Sequence, residues 1–378
     1  MAASGSSSKL GGAAGVVLVI AIAAYLLARG GSGAAAPAPP SQASAPSAAT
    51  SAPRVPAPPV ESRPAPKPES RPTPPVPAST TTVPAAAADT LRIGTWNIEW
   101  LGNPAKRSGT ATGTAQSPDD IADYIIASGV SVLAVEEVVA AGQKPRSEAL
   151  DAALASIKKR TGDQWKYVLF PDRRGEEAQL TGVVWNPKLV TPLNADGKPV
   201  ADGESTNVPL APMRGTQTKL WNKPPHAMKF SAGAGKTDFV VIVVHMKADY
   251  NGDFALTRDE EAKNLSAALP AVRKAFKDED ILVLGDTNMT KPGEPLVANF
   301  EGAGLYDLNR KNEKTNWREG AMDRIFVAAT QPEFADRRFE VMSDRYLDPK
   351  RWDARDYKKR LSDHYMAVTV IKVMPDDD

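Results

Sequence analysis

Leu91-Arg92-Ile93-Gly94-Thr95-Trp96-Asn97-Ile98-Glu99 is the stretch that decides the fold. Through Trp96 it reads as a strand of period two, and polar groups then break the apolar run at Asn97 and Glu99. The same event recurs along the chain, at Glu136-Glu137, at His245, at Asp286 with Asn288, at Asp323 and at Asp363-His364. A single interruption of this kind ordinarily means that a strand has reached solvent. A whole series of them, rich in carboxylate and imidazole and nearly free of lysine, points to functional groups from different strand ends that converge at one mouth of a sheet.

Between these strand ends lie helices. Ser117-Pro118-Asp119-Asp120 supplies a cap, a proline at the first helical position and acids in the first turn. Ile121, Tyr124 and Ile125 give that helix its apolar face, and Gly129 closes it. A second helix carries Leu150, Leu154 and Ile157; a third carries Leu265, Leu269 and Val272, with a kink expected at Pro270. Strands are predicted at residues 130–135, 165–170, 181–185, 239–244, 281–284, 324–327 and 365–373. The class is α/β, and periodicity leaves open whether the strands form one sheet or two.

Composition sets the boundaries. Of the 33 prolines in 378 residues, 16 fall within residues 37–84, among Ala, Ser and Thr. Such a segment has too little apolar surface to offset its own ordering entropy. Residues 30–88 therefore read as a disordered Pro/Ala-rich linker and residues 89–378 as one globular domain. Residues 1–9 form a short tail. Residues 10–29 are almost wholly apolar and long enough to span the ~30 Å core of a bilayer. They read as a membrane anchor, or as a signal segment cut near Ala34-Ala35-Ala36. The expected localisation is a membrane-anchored chain with its catalytic domain exported, or a secreted one.

The net charge is +1, so no general basic excess is available for nucleic acid, and any phosphate-binding surface must be local. There is no cysteine, which excludes disulfides and thiolate metal sites. Nothing in the sequence indicates an oligomer.

Glu137, Asp286, Asn288 and Glu99 offer hard oxygen ligands suited to Mg²⁺ or Mn²⁺. The histidines lack a short helical spacing, so zinc is disfavoured. Two histidines apart from the carboxylates suit acid and base work near neutral pH. A metal with such a pair is sufficient apparatus for hydrolysing a phosphate ester. Arg258, Lys247 and Arg214 are candidate phosphate contacts. Arg258 is the foremost because it begins a predicted helix, whose N-terminus favours an anion. His226 reads as structural or surface, and Trp221 and Trp317 as core packing.

Six short motifs in order carry a resemblance. Thr95-Trp96-Asn97-Ile98-Glu99 resembles the opening strand of the endonuclease/exonuclease/phosphatase superfamily. Leu133-Ala134-Val135-Glu136-Glu137-Val138 is similar to its Leu-Gln-Glu-Val motif, with Glu136 where glutamine is usual. Val243-Val244-His245-Met246-Lys247 resembles the strand ending in the first histidine. Leu284-Gly285-Asp286-Thr287-Asn288 matches Gly-Asp-Phe-Asn, with threonine for phenylalanine. Asp323-Arg324-Ile325 and Ser362-Asp363-His364-Tyr365 resemble the closing motifs. The match extends over residues 91–373.

The resemblance implies a deoxyribonuclease I-like fold, a four-layer sandwich of two mostly antiparallel sheets flanked by helices. It implies His364 as general base oriented by Asp323, and Glu137 as metal ligand with Asn97, Glu99 and Asp363 nearby. Asp286 and Asn288 would position water and phosphate. His245 would contact the phosphate or act as general acid, and it marks the two-histidine branch that includes deoxyribonuclease I, sphingomyelinases and inositol polyphosphate phosphatases. The leading expectation is a metal-dependent nuclease acting on DNA or RNA. The alternative is a lipid-headgroup phosphodiesterase or phosphatase. A third reading, a catalytically dead binding module, conflicts with the complete set of ligands and base.

Overall fold

The long strand that opens the domain is β1 (Thr90–Leu101), buried on both faces for most of its length. The computed structural model describes residues 89–140, 145–170, 179–200, 208–209, 220–249, 252–318, 320–343 and 354–377. After β1 come α1 (Pro118–Ser128), β2 (Val132–Val139), α2 (Glu148–Thr161), β3 (Lys166–Leu169) and β4 (Gln179–Trp185). The middle of the chain supplies β5 (Thr191–Leu193), β6 (Val208–Pro209), β7 (His226–Ser231), β8 (Asp238–His245) and α3 (Ala255–Phe276). Then follow β9 (Ile281–Asp286), α4 (Pro295–Gly302), β10 (Leu305–Asp307), β11 (Asp323–Ala328), β12 (Glu340–Met342), α5 (Ala354–Arg360) and β13 (Met366–Lys372).

The strands form two sheets. One has the order β12-β13-β1-β2-β4-β3, and the other β10-β11-β9-β8-β7-β5, with β6 beside β7. Each contains a single parallel pair, β1 with β2 and β8 with β9, and is otherwise antiparallel. The central strands read as continuous apolar runs because both of their faces are covered. In β8, Phe239, Val241 and Val243 face the core between the sheets, while Val240, Ile242 and Val244 pack against α3 and α4 through Leu265, Leu269 and Phe300. In β1, Leu91 and Ile93 face the other sheet, and Trp96 and Ile98 pack with Ile121, Tyr124 and Leu154 of α1 and α2. The order is therefore helices, sheet, sheet, helices, the four-layer sandwich expected from the motifs.

Local signals were followed closely in several elements. Gly129, at φ 64°, ends α1, and the Ser147 hydroxyl accepts from the Leu150 amide at the start of α2. Pro270 lies inside α3, and the helix continues on both sides of it.

The localisation needs correction. Among the described residues no helix is long and apolar enough to cross a membrane, which conflicts with the expectation of a membrane-anchored chain. The apolar segment 10–29 and the linker 30–88 lie outside the described residues, as does Arg214.

Candidate active site

Register places the chemistry. His245 pairs with Asp286 across β8 and β9, and Asp286 pairs with Asp323 across β9 and β11. Three ionisable groups thus share one rung of the second sheet, and side chains on one rung of adjacent strands point the same way. The approach of β8 to β9 is so close that a Cβ on Gly285 would lie 1.9 Å from the Val244 carbonyl oxygen. Gly285 also has φ +148°, so only glycine fits here, and it sets Asp286 against His245.

The first sheet adds Asn97 and Glu137. Pairing of β2 with β4 shifts between Val135 and Val138, and Glu137 sits at φ 60° within that bulge. A bulge re-aims a side chain: Glu136 turns to the Thr95 hydroxyl at 2.8 Å, while Glu137 accepts from Asn97 Nδ2 at 3.1 Å. The same nitrogen donates to Asp286 Oδ2 at 3.0 Å, which links the two sheets.

Around Asp286 Oδ2 stand His245 Nε2 at 3.6 Å and His364 Nε2 at 3.9 Å. His245 Nε2 also lies 3.8 Å from Glu137. His364 Nδ1 is 2.8 Å from Asp323 Oδ2, so Nδ1 carries the proton and Nε2 faces Asp286. The backbone of His364 is clamped: its carbonyl accepts from Trp96 Nε1 at 3.0 Å and Tyr357 Oη at 2.8 Å, and its amide donates to Ser362 Oγ at 3.0 Å. Asn288, at φ 50°, donates to the Met246 carbonyl at 3.1 Å, and its amide donates to Asp286 Oδ1 at 2.8 Å.

Burial raises the carboxyls of Glu137, Asp286 and Glu136 above their ordinary range, although Asn97 opposes this for the first two. Burial alone would lower His364, but the charges of Asp323 and Asp286 outweigh it and hold the imidazole well above 6.5. Asp286, Asp323 and His364 bring donor atoms within 4.8 Å of one another, and Asp323 Oδ1 is buried without a hydrogen-bond partner. So many buried, oxygen-rich anions fit a hard divalent cation, which would offset the charge that the site cannot solvate. Asp286, Asp323 and His364 form the group that could hold one, and Asn97 bridges Asp286 to Glu137.

Asp363 is half-buried, with Lys358 Nζ at 3.6 Å, and its charge acts on Glu137 and His364. Three other expectations change. Glu99 is held by Arg107 at 3.0 Å, by the Ser108 amide and hydroxyl, and by Lys358 at 3.4 Å, so its carboxylate is committed away from the cluster. Arg258 is fully buried between Asp249, at 2.6 Å, and Glu294, at 2.8 Å, and is no solvent-facing phosphate contact. Trp317 is only half-buried, with the Lys358 ammonium 5.8 Å from its ring centre. Lys247 is half-buried beside the Phe254 ring. His226 is buried and stacked on Phe170, and Trp221 is buried with Nε1 donating to Asn264.

Sequence reasoning missed Lys223. Its ammonium lies 2.8 Å from His245 Nδ1 and 3.1 Å from Nε2, and donates to Gln179 Oε1 at 2.8 Å. The register places it: with His226 paired to Val243 in antiparallel β7 and β8, the residues just before His226 run past His245.

No protein-family model matches the sequence, and no curated protein does. Solved structures match in fold. The chain is similar to a mannosyl-6-phosphatase from Bacteroides thetaiotaomicron, with a TM-score of 0.50 and 14% identity over 75% of this chain and 99% of that one. The human Nocturnin catalytic domain with bound sulfate anion gives 0.48 and 16% identity over 75% and 94%. An endonuclease/exonuclease/phosphatase family protein from Bacteroides thetaiotaomicron gives 0.48 and 14% over 75% and 97%. The likeness shows the fold, an α/β sandwich of two mixed sheets flanked by helices.

Proposed function

We propose that the protein is a divalent-metal-dependent phosphoric ester hydrolase, and that it is a nuclease acting on the phosphodiesters of DNA or RNA. The observation that carries the first part is the convergence of His245, His364 and Asn97 on Asp286 Oδ2, with Glu137 against Asn97 and His245 and Asp323 against His364. The nucleic-acid part rests on the likeness of Asp323-Arg324-Ile325 and Ser362-Asp363-His364-Tyr365 to the deoxyribonuclease I pattern.

Glu137 and Asp286 hold Mg²⁺ or Mn²⁺, with Asn97 and Asp363 beside them. When bound, the ion withdraws charge from the phosphoryl oxygens. His364 Nε2 accepts a proton from the attacking water as the water oxygen bonds to phosphorus and the ester P–O bond breaks, and the leaving oxygen takes up a proton from solvent water. Asp323 keeps the Nδ1–H tautomer and steadies the imidazolium that forms. Asp286 faces both imidazoles and orients the water. A lysine ammonium has only donors to offer. Lys223 therefore donates to Nδ1 of His245, which leaves Nε2–H directed at the site to bind a phosphoryl oxygen. Asn288, pinned by Met246 and Asp286, lines the same pocket.

The test is to incubate the protein with plasmid DNA, with RNA and with sphingomyelin vesicles, with Mg²⁺ and after EDTA. Cleavage of either nucleic acid with Mg²⁺ alone supports the reading. Hydrolysis of the lipid with both nucleic acids intact rejects the nuclease and leaves the hydrolase.

A further inference from the structure

The opposite end of β9 carries a second group of acids. Asp286 closes this strand at the catalytic mouth, and Asp280 precedes it, six residues or about 20 Å away. Asp280 is 1% exposed, as is Glu333 in the short turn Pro332–Phe334. Asp377, from the exposed C-terminal tail, joins them, and the three carboxylates bring oxygens within 4.8 Å of one another. The tail is fixed before it reaches this point. Thr237 donates its amide to Met374 O at 2.9 Å, Met374 donates its amide to Thr237 Oγ1 at 3.0 Å, and Pro375 bridges to Lys236.

Glu333 is the independent sign of a ligand. Both of its carboxylate oxygens are buried without a hydrogen-bond partner. Among the described residues no lysine or arginine pairs with it; the side chain within hydrogen-bonding reach is another acid, Asp280, and the charges that act on it are those of Asp377 and Asp376. The contrast with its neighbourhood is direct: Asp238 and Asp278, also buried at this end of the sheet, both pair with Lys229, at 2.8 and 3.2 Å. A buried carboxylate persists when it is paired or coordinates a metal. Here its near neighbours are carboxylates, and all the donors are hard oxygens. Nitrogen and sulfur are absent, which disfavours zinc. Calcium accepts irregular sets of six to eight oxygens, with water completing the shell, and the exposed side of Asp377 admits water.

We propose that Asp280, Glu333 and Asp377 bind a calcium ion that pins the C-terminal tail across the N-terminal end of β9. This site is separate from the catalytic cluster and independent of its chemistry.

The test uses the metal-stripped full chain, titrated with calcium by calorimetry and melted with and without it. Glu333→Gln and Asp377→Asn are compared with wild type; the second replaces an exposed residue. Wild type is expected to bind one more calcium ion per chain than either variant, and to melt roughly 5 °C higher with calcium. Each variant should lose most of that rise. Equal stoichiometry and equal rises in all three chains would overturn the proposal. So would a wild type indifferent to calcium beside a Glu333→Gln chain stabilised without it, since a proton shared between Glu333 and Asp280 would then explain the pair.

Discussion

Asp323 Oδ2 sits 2.8 Å from His364 Nδ1, and both groups are buried. That contact fixes the tautomer and, with Asp286, holds the imidazole well above 6.5. An imidazole must be neutral to accept a proton, so the rate should rise as pH climbs through that raised value. Asp323→Asn removes one of the raising charges. The acid limb of kcat/KM should move to lower pH, while the maximal rate falls by about 10²–10⁴-fold for want of the correct tautomer. An acid limb left in place would show that another group limits it.

Lys223 is expected to act on substrate through His245. Its ammonium lies within 3.1 Å of both ring nitrogens of His245, and a charged hydrogen bond contributes roughly 1.5–3 kcal/mol. Lys223→Met should therefore lower kcat/KM by about 10–100-fold, with Lys223→Arg partly restoring it. Steady-state kinetics on the cleaved substrate decide the matter, and an unchanged kcat/KM in Lys223→Met would remove this residue from the site.

Arg258 should matter for stability. It satisfies Asp249 and Glu294 from a fully buried position, and removing one partner from such a group costs about 3–5 kcal/mol. Arg258→Ala should unfold at markedly lower denaturant. A variant of normal stability with a raised KM would restore the reading as a phosphate contact.

Glu261 gives a pH dependence with a definite sign. Burial raises its carboxyl to about 8, opposed by the Lys247 amide and by Arg258. The folded state then holds a proton that the unfolded chain releases near 4.5, so this contribution is complete below 4.5 and is lost as pH rises towards 8. Thermal melts at pH 5 and pH 8 should differ more in wild type than in Glu261→Gln. Equal differences would mean that the carboxyl is ionised throughout.

Much of this was legible because the chemistry follows strand ends. A strand that changes from apolar to polar announces both its length and its mouth, and β8 and β9 do so at His245 and Asp286. Glu99 shows where the reading fails. Period two puts Asn97 and Glu99 on one face, but the register of β1 shifts after Asn97 and Glu99 takes φ 43°. The carboxylate then meets Arg107, eight residues on, which no strand pattern foretells. Arg258 failed for a related reason: a helix start favours an anion, and here Asp249 and Glu294 are the anions. Lys223 and β7 escaped because Lys223-Pro224-Pro225 reads as loop, while the strand after it is recognised only from its pairing with β8. The C-terminal acids look like a solvated tail until Asp280 and Glu333 are seen beneath them.

The central claim is that the cluster around Asp286 hydrolyses phosphate esters with the help of a divalent cation. The most direct measurement is the rate of phosphodiester hydrolysis by wild type and by Asp286→Asn, with Mg²⁺, after EDTA, and after Mg²⁺ is restored. The expected result is hydrolysis by wild type that EDTA abolishes and Mg²⁺ restores, and a rate at least about 10²-fold lower in Asp286→Asn. Hydrolysis that survives EDTA, or an Asp286→Asn chain as active as wild type, would contradict it.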